Sequence, residues 1–153
     1  MKVAEFLRED LVLGDLAAVE RMGALAEMCA GLSRVYPELA PARLVEVLQE
    51  REKLGSTGIG EGVAIPHGKL AGVPGLVAAF ARSRPGIDFA AIDGKPTHLF
   101  FVLFAAENSA GIHLKALARI SRLMRGPELR KKILDAADPA AIYRLFVEED
   151  AQF

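Results

Sequence analysis

The chain has 153 residues, 19 of them basic and 20 acidic, so its net charge is near zero and makes no electrostatic case for nucleic acid or an anionic membrane surface. Hydrophobic residues reach 52 % and charged residues 25 %, too apolar for disorder and enough for one real core. The single cysteine, Cys29, excludes an intrachain disulfide; residues 1–7 lack a signal-peptide run, and the apolar run 99–106 is too short to span a bilayer, so a cytoplasmic protein without membrane insertion is expected.

No repeat, low-complexity stretch or linker interrupts the chain, and residues 1–153 read as one domain. Asp15 is a candidate N-cap for a first helix, in which Val19, Met22, Leu25, Ala26, Cys29 and Leu32 recur at helical spacing. Pro41 suits a first helical position, and Leu44, Val45 and Leu48 continue an apolar stripe until Gly55 stops it. Residues 64–65 and 77–81 read as short strands, and 98–106 as a strand covered on both faces. A third helix starts within 109–112 and uses Leu114, Leu117, Ile120, Leu123 and Met124. Two more follow, over 127–137 and 139–148, the last with Asp138 as N-cap. Helices on both sides of a strand-rich middle predict a single layered α/β domain. Cys29 reads as a buried small hydrophobe and His98 as structural. The clusters Arg130-Lys131-Lys132 and Glu148-Glu149-Asp150 read as solvated helix surface and a frayed end.

Familiar motifs fail on spacing. Gly58-Ile59-Gly60-Glu61-Gly62 lacks the last interval of a dinucleotide fingerprint and precedes a strand instead of following one. Between Gly62 and Gly68-Lys69 stand five residues where a Walker A loop needs four, and Leu70 replaces the magnesium-binding hydroxyl. His67, His98 and His113 have no metal-ligand spacing, so neither metal nor cofactor is expected.

One constellation has usable chemistry. A glycine-rich, hydroxyl-bearing stretch (Ser56, Thr57, Gly58, Gly60, Glu61) runs into a short apolar segment and then into His67, held between Pro66 and Gly68. A neutral imidazole is nucleophilic near pH 7 and can take a phosphoryl group. The resulting dianion needs donors, which loop amides and the Ser56 and Thr57 hydroxyls can supply. Gly68 leaves room for a partner to approach. The bland reading is a tight loop ending in an exposed histidine. Arg51 extends the stripe of Leu44 and Leu48, and either snorkels at the helix edge or clamps a phosphate. His113, near a helix start, is either a core-margin histidine or a second imidazole beside a phosphate on His67.

The run R-E-K-L-G-S-T-G-I-G-E-G-V-A-I-P-H-G-K-L over residues 51–70 resembles the phosphorylation-site region of the fructose/mannitol-type enzyme IIA domains of the bacterial phosphotransferase system. G-I-D-F-A-A-I-D-G-K-P over 86–96 resembles the segment before the family's central strand. A-A-E-N-S followed by His113-Leu114 resembles its second histidine region. The resemblance implies one type-2 IIA domain with a mixed sheet of about five strands flanked by helices on both faces. It also implies phosphorylation of the tele nitrogen of His67 by a phosphohistidine carrier of the HPr type, with Arg51 and His113 stabilising the phosphoryl group. Glu61 stands where relatives often carry asparagine, and its charge would repel a phosphate unless paired or held away. The P-H-G-K-L ending resembles the nitrogen-regulatory branch.

The expected function is therefore that of a phosphocarrier, which passes the group on to a IIB domain or uses it as a signal to a transporter or sensor kinase. The rivals are a sugar-transport IIA component, a regulatory binding protein that never transfers, and a histidine-nucleophile phosphate-ester hydrolase, the last without a carboxylate placed beside His67 to activate water.

Overall fold

The computed structural model describes residues 1–152. Its sheet is mixed and has six strands: β1 (Leu7–Asp15), β2 (Gly58–Gly60), β3 (Val63–Ala64), β4 (His67–Lys69), β5 (Leu76–Ile87) and β6 (Thr97–Ala105), in the order β1-β5-β6-β3-β2 with β4 also on β6. Five helices complete it: α1 (Arg21–Val35), α2 (Pro41–Glu52), α3 (Ala110–Met124), α4 (Pro127–Asp135) and α5 (Pro139–Asp150). The expected layered α/β architecture is present.

β5 and β6 pair antiparallel at the centre, and β6 is buried at every residue except the half-buried His98. Successive strand side chains face opposite ways, so burial on every residue means cover on both faces. α1 and α2 pack on each other, as do α3, α4 and α5. Phe80, Phe101 and Phe146 form an edge-to-face trio with centroids 4.9–5.8 Å apart. Phe89 meets Phe100 at 5.4 Å.

The site depends on one irregularity. β3 and β4 both run parallel to β6, Val63 opposite Leu99 and His67 opposite Leu103. Pro66 interrupts them, because it has no N–H to give, yet its carbonyl accepts from Leu103 N at 3.0 Å. β2 pairs with β3 alone, so the outer edge of β4 carries no further strand.

Several local expectations are corrected. Asp15 caps no helix: it ends β1, and its carboxylate accepts from Arg82 Nε at 2.7 Å. Arg82 is 1 % exposed and also donates to the carbonyls of Ile133 and Ala136, so the buried cation closes the C-terminal end of α4. The N-cap of α1 is Glu20, which accepts from Met22 N and Gly23 N, and Val19 lies outside the helix at 78 % exposure. The cap at Asp138 is as expected, accepting from Ala141 N at 2.8 Å. Asp150 is no frayed end: it is 2 % exposed and accepts from Val3 N and Arg119 Nε, tying the two termini together. Arg130 is not a freely solvated surface cation but donates to the carbonyls of Met124 and Arg125 at the end of α3. Cys29 is buried, which pushes its thiol up to about 12, and His98 Nδ1 lies 3.0 Å from the Ser83 carbonyl oxygen. Both are structural, as expected.

Candidate functional site

His67 opens β4, directly after Pro66. Its Nδ1 lies 2.7 Å from the Ile65 carbonyl oxygen. A carbonyl oxygen only accepts, so the contact assigns the ring proton to Nδ1 and leaves a lone pair on Nε2. Burial pushes the ring's pKa below the ordinary histidine value. The Ile65 contact opposes that, the nearby Arg51 cation adds to it, and Glu52 opposes it. The ring is therefore neutral near pH 7, with its nucleophilic nitrogen unprotonated.

A cavity of about 690 Å³ lies along the open edge of β4, bounded by α2 on one side and the start of α3 on the other. His113 is in its wall, 6 % exposed, with its ring centroid 5.4 Å from that of His67 and the planes at 74°. Its pKa is lowered to about 4, by burial first and then by His67 and Lys69. His113 Nε2 is buried and has no hydrogen-bond partner among the described residues. An unsatisfied buried polar atom of this kind costs about 1–3 kcal/mol, which plain packing has no reason to retain.

Arg51 reaches the same cavity from the last turn of α2. It is half-buried and donates through Nη1 to the Gly55 carbonyl at 2.9 Å. A guanidinium has further N–H groups, enough to hold that carbonyl and an anion together. Ala110, the first residue of α3, also lines the cavity, and the Ser109 side chain makes no capping bond. The first N–H groups of a helix have no intrahelical partner and favour negative charge. Three kinds of polar group thus surround a nucleophilic nitrogen: a guanidinium, a second imidazole and helix-terminal amides.

The glycine-rich stretch is built differently from the expectation. It is a β-hairpin, β2 to β3, turned by Glu61 (φ 57°) and Gly62 (φ 77°). Positive φ at both positions is the hairpin turn that matches strand twist. Ser56 Oγ donates to the Phe89 carbonyl at 2.6 Å and accepts from Gly58 N, and Thr57 Oγ1 donates to Glu52. Both hydroxyls are committed to other parts of the fold. Gly60 and Glu61 line a second cavity of about 480 Å³ with Met124 and Arg125, at the other end of α3. The Glu61 carboxylate faces Arg130 at 3.6 Å. Of the sequence candidates, then, His67, Arg51 and His113 converge on one cavity, while Ser56, Thr57, Gly58, Gly60 and Glu61 do not line it.

Gly68 is corrected too. A Cβ there would come within 2.4 Å of Val47 Cγ1, so the missing side chain admits helix α2, not an incoming partner. Sequence reasoning also missed Glu52 and Arg21. The Glu52 carboxylate accepts from Arg21 Nη2 at 2.6 Å and from Thr57 N at 3.1 Å, and Arg21 lies 5.0 Å over the Phe89 ring. Nothing in the local pattern distinguishes Glu52 from Glu50, which lies exposed two residues earlier. Among the described residues no group of three or more His, Cys, Asp or Glu side chains gathers to hold a metal ion.

Comparison with known proteins identifies the family. A family model described as the phosphoenolpyruvate-dependent sugar phosphotransferase system, EIIA 2, matches residues 5–149. A nitrogen regulatory protein of Bradyrhizobium diazoefficiens is 41 % identical over 143 residues, covering 94 % of this chain and 93 % of that protein. The fructose-specific EIIABC component of the phosphotransferase system in Bacillus subtilis is 36 % identical across 98 % of this chain, which spans 24 % of that longer protein. The crystal structure of nitrogen regulatory protein IIA-Ntr from Neisseria meningitidis superposes with a TM-score of 0.88 at 34 % identity, covering 94 % of this chain and 98 % of that one. With its sheet and nearly its whole length accounted for, the chain belongs to the EIIA type 2 family of the phosphoenolpyruvate-dependent sugar phosphotransferase system.

Proposed function

We propose that this chain, acting as one IIA unit over residues 1–153, takes a phosphoryl group onto Nε2 of His67 from a phosphohistidine carrier of the HPr type and then gives it up or holds it as a signal. Membership of the family makes it a phosphotransferase component with a phosphohistidine intermediate. The observation that carries the residue assignment is the Nδ1 contact to Ile65, which leaves Nε2 as the free nucleophile of a ring in the cavity wall.

In the step itself the donor's P–N bond breaks as the P–Nε2 bond forms, and the leaving imidazole keeps the electron pair. The His67 ring becomes cationic, and the Ile65 carbonyl on Nδ1–H stabilises that charge. Arg51, His113 Nε2–H and the α3 amides hold the phosphoryl oxygens, so the work is positioning and electrostatics. Nitrogen-to-nitrogen transfer leaves the bond type unchanged. Leu54 (84 % exposed) and Leu114 (69 %) on the cavity's lip form an apolar rim for the donor. A nitrogen-regulatory role is favoured by relatives of that name, among them two that are 41 % and 36 % identical to this chain.

The test is transfer from a phosphorylated HPr-type donor. Wild type should gain acid-labile phosphate, and His67→Ala should gain none while keeping its circular dichroism spectrum. Label that persists in His67→Ala would move the acceptor elsewhere. A IIB-type acceptor added afterwards separates onward transfer from storage as a signal. Of the described residues, no helix is long and apolar enough to cross a membrane.

A further inference from the structure

We propose that Glu52 is a positioning residue for transfer at His67, acting in series through Thr57 and Ile65. The proposal rests on the reading of His67 as the phosphoryl acceptor. The Glu52 side chain is 7 % exposed, close to the burial at which a carboxylate persists only when fully partnered. Its Oε1 accepts from Arg21 Nη2 at 2.6 Å and from Thr57 N at 3.1 Å, and its Oε2 accepts from Thr57 Oγ1. The Thr57 carbonyl accepts from Ile65 N at 3.0 Å. The Ile65 carbonyl accepts from His67 Nδ1 at 2.7 Å.

Each link fixes the group that makes the next. Glu52 grips Thr57 by both backbone N–H and hydroxyl, so the residue cannot pivot about one bond. Thr57 then sets the height of the Ile65 strand segment. Ile65, two residues before His67, sets the ring's tautomer and its rotation about the Cβ–Cγ bond. An imidazole whose Nδ1 lost this acceptor would sample the other tautomer, with the proton on Nε2 and no lone pair for phosphorus.

The carboxylate also acts through its charge. It lies close enough to favour the cationic form of His67, against the opposite push from Arg51. Cationic character is what the ring gains as the P–N bond forms. Position and charge therefore work in the same direction. Glu52 follows Arg51 directly, so the same clamp fixes the end of α2 from which Arg51 reaches the cavity. Arg21, stacked over Phe89 at 5.0 Å, keeps the buried carboxylate paired from the other side.

Two readouts on the full chain test this. Long-range proton–nitrogen NMR of the His67 imidazole reports the tautomer, and transfer from a phosphorylated HPr-type donor gives kcat and KM. Wild type should show the Nδ1–H tautomer alone. Glu52→Ala and Glu52→Gln should show a mixture, with kcat lowered about 10- to 100-fold and KM for the donor within about threefold of wild type. Thr57→Val, which keeps the N–H and loses the hydroxyl, should fall between. Should Glu52→Ala not fold, Glu52→Gln decides by the same two readouts, since it keeps the shape. A wild-type ring on the Nε2–H tautomer overturns the proposal, as does a folded Glu52 variant that keeps the wild-type tautomer and rate. Absence of label on wild type, or label persisting in His67→Ala, overturns the acceptor reading and the kinetic half of this proposal with it. The tautomer response to Glu52 does not depend on a donor, so the two failures are told apart.

Discussion

Glu61 and His67 are six residues apart in the chain and serve opposite ends of one helix. His67 shares its cavity with Ala110 and His113, where α3 begins, and Glu61 shares another with Met124, where α3 stops. Fifteen helical residues separate those ends by about 22 Å. At the first, unpartnered N–H groups and an unsatisfied imidazole converge on a nucleophile. At the second, an acidic side chain meets an arginine already engaged with helix carbonyls. Anion chemistry belongs where donors are left over, and the Ser56 and Thr57 hydroxyls before the glycine hairpin are already committed, to the Phe89 carbonyl and to Glu52. Glycine richness beside a histidine therefore marks a turn here, and the polar groups that share the His67 cavity come from α2 and α3.

The sharpest way to break this contrast is to remove donors at one end and compare the other. Arg51→Ala and His113→Ala should each lower the phosphoryl transfer rate by about 10²- to 10³-fold, the cost of losing one pre-set electrostatic donor. Gly60→Ala, in the hairpin, should leave the rate of the folded protein within about threefold, although its φ of 90° makes the substitution destabilising. Rates measured with one phosphorylated donor decide it. A larger kinetic loss at Gly60 than at Arg51 would return the hairpin to the site.

How much of this was legible in the chain differs by element. The central strand was, since 98–106 is apolar almost throughout and β6 is buried on both faces. The starts of α2, α4 and α5 were, because Pro41, Pro127 and Pro139 sit at first helical positions. β1 was not: Arg8, Glu9 and Asp10 fall in a row on its exposed portion and erase the alternation that marks a strand. β4 was not, being three residues long and held only by β6. In the site, His67 was legible by its place between Pro66 and Gly68 after the glycine-rich stretch, and Arg51 and His113 as polar groups on otherwise apolar helix faces. Glu52 was not, because its partners Arg21 and Thr57 lie 31 and 5 residues away and its burial comes from tertiary packing.

Acid is a second lever on the same comparison. His113 titrates near 4 in the fold against 6.5 for the free side chain, so the unfolded chain binds its proton first as pH falls. Stability is complete above about pH 6.5 and declines until about pH 4, by about 2–3 kcal/mol from this group. His67, also lowered by burial, contributes in the same direction. Urea unfolding at pH 7 and pH 4.5 should show this fall in wild type and a smaller one in His113→Gln. Equal falls would mean that the imidazole is hydrated in the fold.

The wall between α2 and β4 gives a third test, at the level of packing. In Gly68→Ala the new methyl meets Val47 Cγ1 at 2.4 Å, and a β-branched valine on a helix has no other rotamer to yield to. The cost should be about 1–3 kcal/mol by overpacking. Val47→Ala in the same chain should recover most of it, because it removes the atom in conflict. Thermal unfolding of both variants measures the coupling, and simple additivity would place the clash elsewhere.

The smallest effect concerns Glu61 itself. Its φ of 57° is left-handed, a region where asparagine is tolerated better than glutamate because its short amide can bond the local backbone. The carboxylate's contact with Arg130, at 3.6 Å and 78 % exposed, is worth at most about 0.5 kcal/mol. Glu61→Asn should therefore raise stability by about 0.5 kcal/mol, a shift of about 1–2 °C in Tm. Its phosphoryl transfer rate should match wild type, since a charge at the far end of α3 is screened from the phosphoryl group over more than one Debye length of about 8–10 Å. A rate increase on removing this carboxylate would instead show that its negative charge is felt at His67, and would draw the two ends of the helix into one electrostatic site.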